Sequence, residues 1–166
     1  MPAEANGPWP YQVTDLSDEP GLRPDLFQDE GYRPTLERLM RRVVDQEAPI
    51  RLDILVSRLA AAHGFSRAGR LIRERVEDLA RGLFPIVDDS EGLAFVWGDW
   101  SMLESWNHAR LPMAETDIRF IDEIAMIELA ALARQVTGPD PVVEVARRFG
   151  VRRVSAAARK RIETAI

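Results

Sequence analysis

The sequence predicts a mainly α-helical protein with a small β-hairpin, and three observations carry that reading. Apolar residues recur at helical spacing in three successive runs between residues 34 and 82. Two short apolar runs, FPIVDD and LAFVWG, follow, split by Asp-Ser-Glu-Gly as in a hairpin. A stretch at the C-terminal end then repeats part of the helical block at a fixed offset.

Residues 1–33 are rich in Pro, Gly and acidic residues and read as an extended arm. Pro8, Pro10, Pro20 and Pro24 forbid a continuous helix, and no period-2 run is long enough for a strand. Trp9, Tyr11, Leu16, Leu22 and Phe27 are the side chains able to pin this arm onto a core. A helix is expected over 34–48, with Pro34 in its first turn and Leu36, Leu39, Met40, Val43 and Val44 on one side. Ala48–Pro49 ends it, because the residue before proline is pushed out of the α region. Residues 50–52 are a short extended piece. Asp53 is expected to cap a second helix that turns Leu55, Val56, Leu59 and Ala60 inward and stops at Gly64. Ser66 is expected to cap a third, with Leu71, Ile72, Val76 and Leu79 on one side. Three helices, a short strand and a C-terminal hairpin are the outline of a winged helix, here spanning 34–98. Residues 99–121 read as a less regular connector, and 122–166 as a second helical set with segments 124–136, 142–149 and 154 onward.

The repeat is ungapped at an offset of 86, laying 58–80 over 144–166. Ala60/Ala146, Gly64/Gly150, Arg67/Arg153, Arg73/Arg159, Arg75/Arg161 and Glu77/Glu163 are identical. In both copies a small residue stands four before a turn glycine, and an apolar residue (Phe65, Val151) follows it. In a helix-turn-helix the small residue lets the third helix approach the second, the glycine makes the turn, and the next residue plugs the core. The second copy reaches Ile166 with no hairpin in the sequence, so it is expected to lack a wing or to be a fragment of something longer.

The segment APIRLDILVSRLAAAHGFSRAGRLIRERVEDL, the FVW after it, and the second block from IDEIAMIELA together resemble the domain of unknown function 3320 family. The best motif is GFSRAGRLIRERVE, and the resemblance runs over about residues 32–166. It implies a non-catalytic accessory domain of the kind found at the C-terminal end of large proteins that combine superfamily 1 helicase motors with a nuclease-like domain. No motor or nuclease sequence accompanies it here.

Bulk properties narrow the function classes. With 166 residues, 46% hydrophobic and 30% charged, the chain has room for one sizeable or two small globular domains. No cysteine is present, which excludes disulfides and thiolate metal sites. The start, MPAEANGPWPYQ, has neither the basic nor the apolar region of a secretory signal, and no apolar run approaches the roughly 18 residues of a membrane span. A cytoplasmic protein is expected. The net charge of −5 is unevenly spread, at −5 over 1–33, +3 over 34–82, −5 over 83–121 and +2 over 122–166. Two mildly basic helical blocks thus alternate with acidic ones, and phosphate attraction is local at physiological screening. The Arg-rich composition, in which Lys160 is the single lysine, has a bland reading as genomic base composition and a functional one as a basic face.

Catalytic signals are sparse. There is no G-x-x-x-x-G-K-[ST] loop, and the two histidines, His63 and His108, have no Ser or carboxylate at triad spacing. His63 is expected to meet a terminal carbonyl of its helix. Asp88, Asp89 and Glu91 fall on a hairpin tip and read as a solvated turn. No enzyme activity, metal or cofactor is expected. Phe84, Phe95 and Trp97 are expected to close the core, leaving Trp100 and Trp106 as candidates for protein interaction if they are exposed together. For nucleic-acid contact the candidates are Arg67, Arg70 and Arg73 at the third helix of the first copy, and Arg152, Arg153 and Lys160 in the second, with Arg75, Arg159 and Arg161 farther along. The competing reading pairs Arg70 with Glu74 and Arg73 with Glu77 as ordinary surface ion pairs, worth ~0.3–0.5 kcal/mol each. The acidic hairpin tip opposes duplex binding in the usual winged-helix pose. Two functions therefore stand side by side. One is a helicase- or nuclease-associated module touching DNA or RNA. The other is a protein-docking or dimerisation module.

Overall fold

The computed structural model describes residues 7–166; the first six residues of the arm lie outside the described residues. In chain order the elements are β1 (Trp9–Tyr11), α1 (Arg33–Glu47), β2 (Ile50–Arg51), α2 (Leu52–Ala62), α3 (Arg70–Leu83), β3 (Ile86–Asp88), β4 (Ala94–Val96), α4 (Trp100–Ser105), β5 (Arg110–Pro112), α5 (Met126–Ala133), α6 (Pro141–Arg148) and α7 (Ala156–Ala165). The protein is mainly helical, as expected. It divides into two compact units, Thr14–Leu103 and Glu104–Ile166, the latter joined by the described residues up to Val13. This division cuts the arm in two and falls within α4, so it differs from boundaries at 33/34, 98/99 and 121/122.

In the Thr14–Leu103 unit, α1 buries Leu36, Leu39, Met40, Val43 and Val44, as their spacing requires. They meet Leu55, Val56 and Leu59 of α2 and Val76 and Ala80 of α3 in one core. A three-stranded antiparallel sheet of order β2-β4-β3 closes it, with Ile50 opposite Val96 and Val87 opposite Phe95. Phe84, Phe95 and Trp97 are buried there. From the arm, Leu16 and Phe27 enter this core and Leu22 packs against it. The buried Glu47 carboxylate holds the arm as well, accepting from the Thr14 N–H at 3.1 Å and its hydroxyl at 2.7 Å while Arg58 donates at 3.0 Å.

Three local expectations for this unit are corrected. Asp53 does not cap α2, because the β2–β4 pairing holds the chain extended through Arg51, which is the cap position, and α2 starts at Leu52; Asp53 lies in the first turn and accepts from Arg51 at 2.6 and 2.8 Å. Ser66 does not cap α3. The cap is Gly69, in extended conformation, and as a poor helix former it sets the start of α3 at Arg70. Leu71 is 58% exposed instead of core-facing, since Ile72, Val76 and Leu79 define the inward stripe and Leu71 lies off it.

The Glu104–Ile166 unit packs Ile121, Ile124, Leu129, Leu132, Val142, Val145, Phe149 and Ile162 into a second core. The connector is more ordered than expected. It holds α4, and its strand β5 pairs in parallel with β1 of the arm, Pro10 opposite Leu111. The arm was expected to contain no strand. A three-residue strand needs no long alternating pattern when its partner supplies the ladder bonds. α5 is shorter than the expected segment 124–136, and α6 matches the expected 142–149 displaced by one residue.

Both units contain the same chain reversal. Gly64, φ +80°, ends α2, with its N–H donating to Ala61 O at 2.9 Å and the Phe65 N–H to Ala60 O at 3.0 Å. Gly150, φ +87°, ends α6, with bonds to Arg147 O at 2.9 Å and from Val151 to Ala146 O at 2.9 Å. These are the paired bonds of a glycine-terminated helix, and only glycine takes the left-handed backbone freely. The helices that follow start at Arg70 and Ala156, again 86 positions apart.

The glycines differ in what lies above them, which yields a prediction. A Cβ at Gly64 meets open space, whereas one at Gly150 lies 2.9 Å from Ile118 Cγ1. Gly64→Ala is expected to cost about 1–2 kcal/mol from backbone strain alone, and Gly150→Ala distinctly more. Urea unfolding of the two variants checks the order; equal losses mean Ile118 yields without cost.

Candidate nucleic-acid interface and the buried charges beside it

The turn residues come first. The Gly64 reversal and the Gly69 cap leave 65–69 outside any helix, so Arg67 sits in the turn and not on one helical face with Arg70. Arg152 and Arg153 likewise precede α7, whose cap is Ser155, the hydroxyl accepting from Ala158 N–H at 3.1 Å. Arg67, Arg70, Arg73, Arg152, Arg153 and Lys160 are all exposed. Arg70 pairs with Glu74 at 3.0 Å, the competing reading for that residue. Arg152 approaches Glu115 only at 3.8 Å, with both side chains almost fully in solvent. Among the described residues, the side chains of Arg67, Arg73, Arg153 and Lys160 have no ion pair or hydrogen bond, so the expected Arg73–Glu77 pair is absent.

Other arginines have structural work. Arg75, half-buried, donates to Glu30 at 3.1 Å and to Asp29 O at 3.2 Å. Arg161, offered by the repeat as a surface cation, is buried and donates to Ile121 O at 3.1 Å and Ile124 O at 2.7 Å. It closes backbone carbonyls that α7 packs against, so it is removed from the candidate interface. Arg159 pairs with Asp140 at 3.2 Å and Glu163 at 3.7 Å.

The main site that sequence reasoning missed is a buried ionic cluster around Glu128 of α5. Arg110 of β5 grips its carboxylate with two bonds, Nε to Oε1 at 3.0 Å and Nη2 to Oε2 at 3.1 Å. Arg119 adds 2.9 Å to Oε2 and donates to Arg110 O at 2.7 Å. The Arg119 guanidinium lies 4.0 Å from the Tyr11 ring centroid, a cation–π contact that carries β1 into the cluster. Burial by itself would raise the Glu128 pKa; the two guanidinium groups outweigh it and hold the carboxyl at about 2, against an ordinary 4.5. Residues 117–121 alternate Asp, Ile, Arg, Phe, Ile with the charged pair and Ile121 inside and Ile118 and Phe120 outside. That inverts the usual rule that apolar side chains face in, so the pattern pointed the wrong way.

The histidines and tryptophans also find their places. His63 is buried, Nδ1 bonded to Leu59 O at 2.7 Å and Nε2 to Tyr32 Oη at 2.8 Å, so the terminal-carbonyl expectation holds. His108 is stacked between Trp9 and Trp106, ring centroids 3.4 and 4.0 Å away, and burial lowers its pKa. Trp106 is 8% exposed and donates to His108 O at 2.8 Å, because its ring is needed to cover His108 and Arg110. It therefore cannot form an exposed docking pair with Trp100, which is 61% exposed. Asp89 turns the hairpin tip by accepting from the Glu91 and Leu93 N–H groups at 2.9 and 3.0 Å. Among the described residues no three His, Cys, Asp or Glu side chains gather as a metal site would need.

With this geometry in hand, the comparison with known families is specific. Residues 25–74 match the family described as "Protein of unknown function (DUF3320)". The similarity is confined to that part of the chain and is narrower than the resemblance over 32–166. It covers α1, α2, the Gly64 turn and the first residues of α3, and so includes Arg67, Arg70 and Arg73. No curated protein and no solved structure matches the chain. Among the described residues no helix is long and apolar enough to cross a membrane.

The Glu128 cluster has a pH signature. With its folded pKa below the ordinary value, Glu128 contributes stability that is complete above about pH 4.5 and drains away as pH falls toward 2. Glu128→Gln is expected to cost about 3–5 kcal/mol at pH 7, since two buried guanidinium groups lose their counter-charge, and much less at pH 2–3. Unfolding curves of both proteins across that range test it; a pH-independent loss would refute the ionic account.

Proposed function

We propose that the chain is a non-catalytic accessory module in which two helix-turn-helix units, the first with a winged-helix outline and the second a wingless copy, contact a nucleic-acid backbone through the turn that precedes each third helix. One observation carries the reading. Arg67 and Arg153, equivalent positions of the repeat, are both exposed and, among the described residues, both without a partner, while Arg110, Arg119 and Arg161 are buried in ion pairs or on carbonyls. A guanidinium kept free at the same place in two turns is available to a phosphate, which it meets with paired N–H donors. Arg70, Arg73, Arg152 and Lys160 flank these positions and extend the charge. The acidic hairpin tip, Asp88, Asp89 and Glu91, stands against a duplex lying along the wing, so a single strand is the favoured partner. A setting within a cytoplasmic helicase- or nuclease-type assembly accords with the family resemblance and belongs to the same proposal.

A docking or dimerisation module is the second reading, and it has its own observation. Phe120 is 74% exposed beside the outward Ile118, on an extended segment whose inward Arg119 is locked to Glu128.

Fluorescence anisotropy with labelled single-stranded and duplex DNA over a salt series separates the two. Phosphate contact predicts affinity falling linearly in log–log form as salt rises, with Arg67→Glu/Arg153→Glu weakening binding at least tenfold at low salt. Absence of binding at low salt, together with a dimer in light scattering that Phe120→Glu splits, would replace this reading by the second.

A further inference from the structure

We infer that the cleft between the end of α3 and the start of α4 receives one unpaired base of a single-stranded nucleic acid, stacked on Trp100. The inference rests on the phosphate-contact reading above and gives it a base-binding subsite. The cleft is open, about 390 Å³, and lies within the Thr14–Leu103 unit. Phe84 and Pro85 form its apolar wall, Trp100 its rim, and Arg81 and Asp99 its polar groups.

Trp100 is a large ring left in solvent with no ring contact or hydrogen bond of its side chain among the described residues. It is not left loose. Asp99 Oδ1 accepts the Met102 N–H at 2.7 Å, starting α4, and Met102 packs on the core, so the ring stands on an anchored helix. An exposed aromatic face held in position is the platform on which single-strand binders stack bases, and it discriminates little between bases.

The polar groups suit a base better than a phosphate. Arg81 is exposed and, among the described residues, has no carboxylate partner; Asp99 brings a negative charge to the same cleft. A phosphate there would meet both charges at once. A base edge offers acceptors for Arg81 and donors for Asp99. A second guanidinium, that of Arg41, lies 5.8 Å from the centroid of the Phe84 ring that walls the cleft.

The cleft also continues the proposed backbone path. Arg81 falls on the outward stripe of α3 that begins with Arg70, three turns and roughly 16 Å along the axis. A strand held at Arg67, Arg70 and Arg73 thus leads to Trp100. A base inside a duplex is already stacked and cannot use the platform, so the subsite selects single strands.

The test uses the full chain with oligothymidine and a duplex of equal length. Trp100→Ala is expected to weaken single-strand binding about tenfold, a typical effect for one stacked base, and to leave duplex binding within twofold; Trp100→Phe should keep most of the affinity. A thymidine trinucleotide should shift the Trp100 indole N–H resonance, assigned by its loss in Trp100→Phe, in the wild type and equally in Arg67→Glu/Arg153→Glu. That last arm separates the two readings: a shift there without any effect of the arginine changes on oligonucleotide affinity leaves the base subsite standing and removes the phosphate reading. Unchanged single-strand affinity in Trp100→Ala, equal loss for both forms of DNA, or no trinucleotide shift would each overturn the subsite.

Discussion

A left-handed glycine at the end of a helix is the constraint on which this architecture depends. Gly64 and Gly150 reverse the chain after α2 and α6 with the same two backbone bonds, and each delivers the next helix six residues later. Any other residue there would carry a Cβ into the neighbouring carbonyl oxygen. The turn so formed is short of helix, and its backbone is bound to the helix behind it. Arg67 and Arg153 are therefore displayed from a firmly held loop, and not from the third helix itself.

The buried and half-buried arginines satisfy buried polar groups. Arg110 and Arg119 neutralise Glu128, Arg161 covers two carbonyls, and Arg58 meets Glu47; in each case a buried polar group would otherwise be unsatisfied. These contacts fix where the arm runs, since Tyr11 lies on Arg119 and Thr14 on Glu47, one on each side of the division between the units. Among the described residues Arg67, Arg73 and Arg153 take no part in that framework. Their freedom has no explanation in folding, and it is what gives the phosphate reading its content.

Much of the fold was legible because it follows from local rules. The α1 stripe, the stop at Ala48–Pro49, the Gly64 turn and the 86–96 hairpin all follow from spacing and turn chemistry over a few residues. The errors were also local in form. Asp53 and Ser66 are good capping residues placed where strand pairing and Gly69 set the helix starts instead. Leu71 was assigned inward although it lies about 100° around the helix from Ile72, off the stripe that Ile72, Val76 and Leu79 define. For the candidate site, Arg67, Arg70, Arg73, Arg152, Arg153 and Lys160 were recognisable as surface cations, while Arg161 and Trp106 were not recognisable as buried.

By itself the sequence determined the helical character, the glycine-hinged segments and the supply of arginines, because each depends on neighbours a few positions away. Only tertiary structure decided which arginines are buried, that β1 joins β5 across some hundred residues, and that Trp100 stays bare while Trp106 is covered. Those outcomes depend on partners distant in the chain, such as Glu128 for Arg110 and His108 with Trp9 for Trp106. A charge or a ring is inside or outside according to whether such a partner arrives to compensate it, and no local pattern records that arrival.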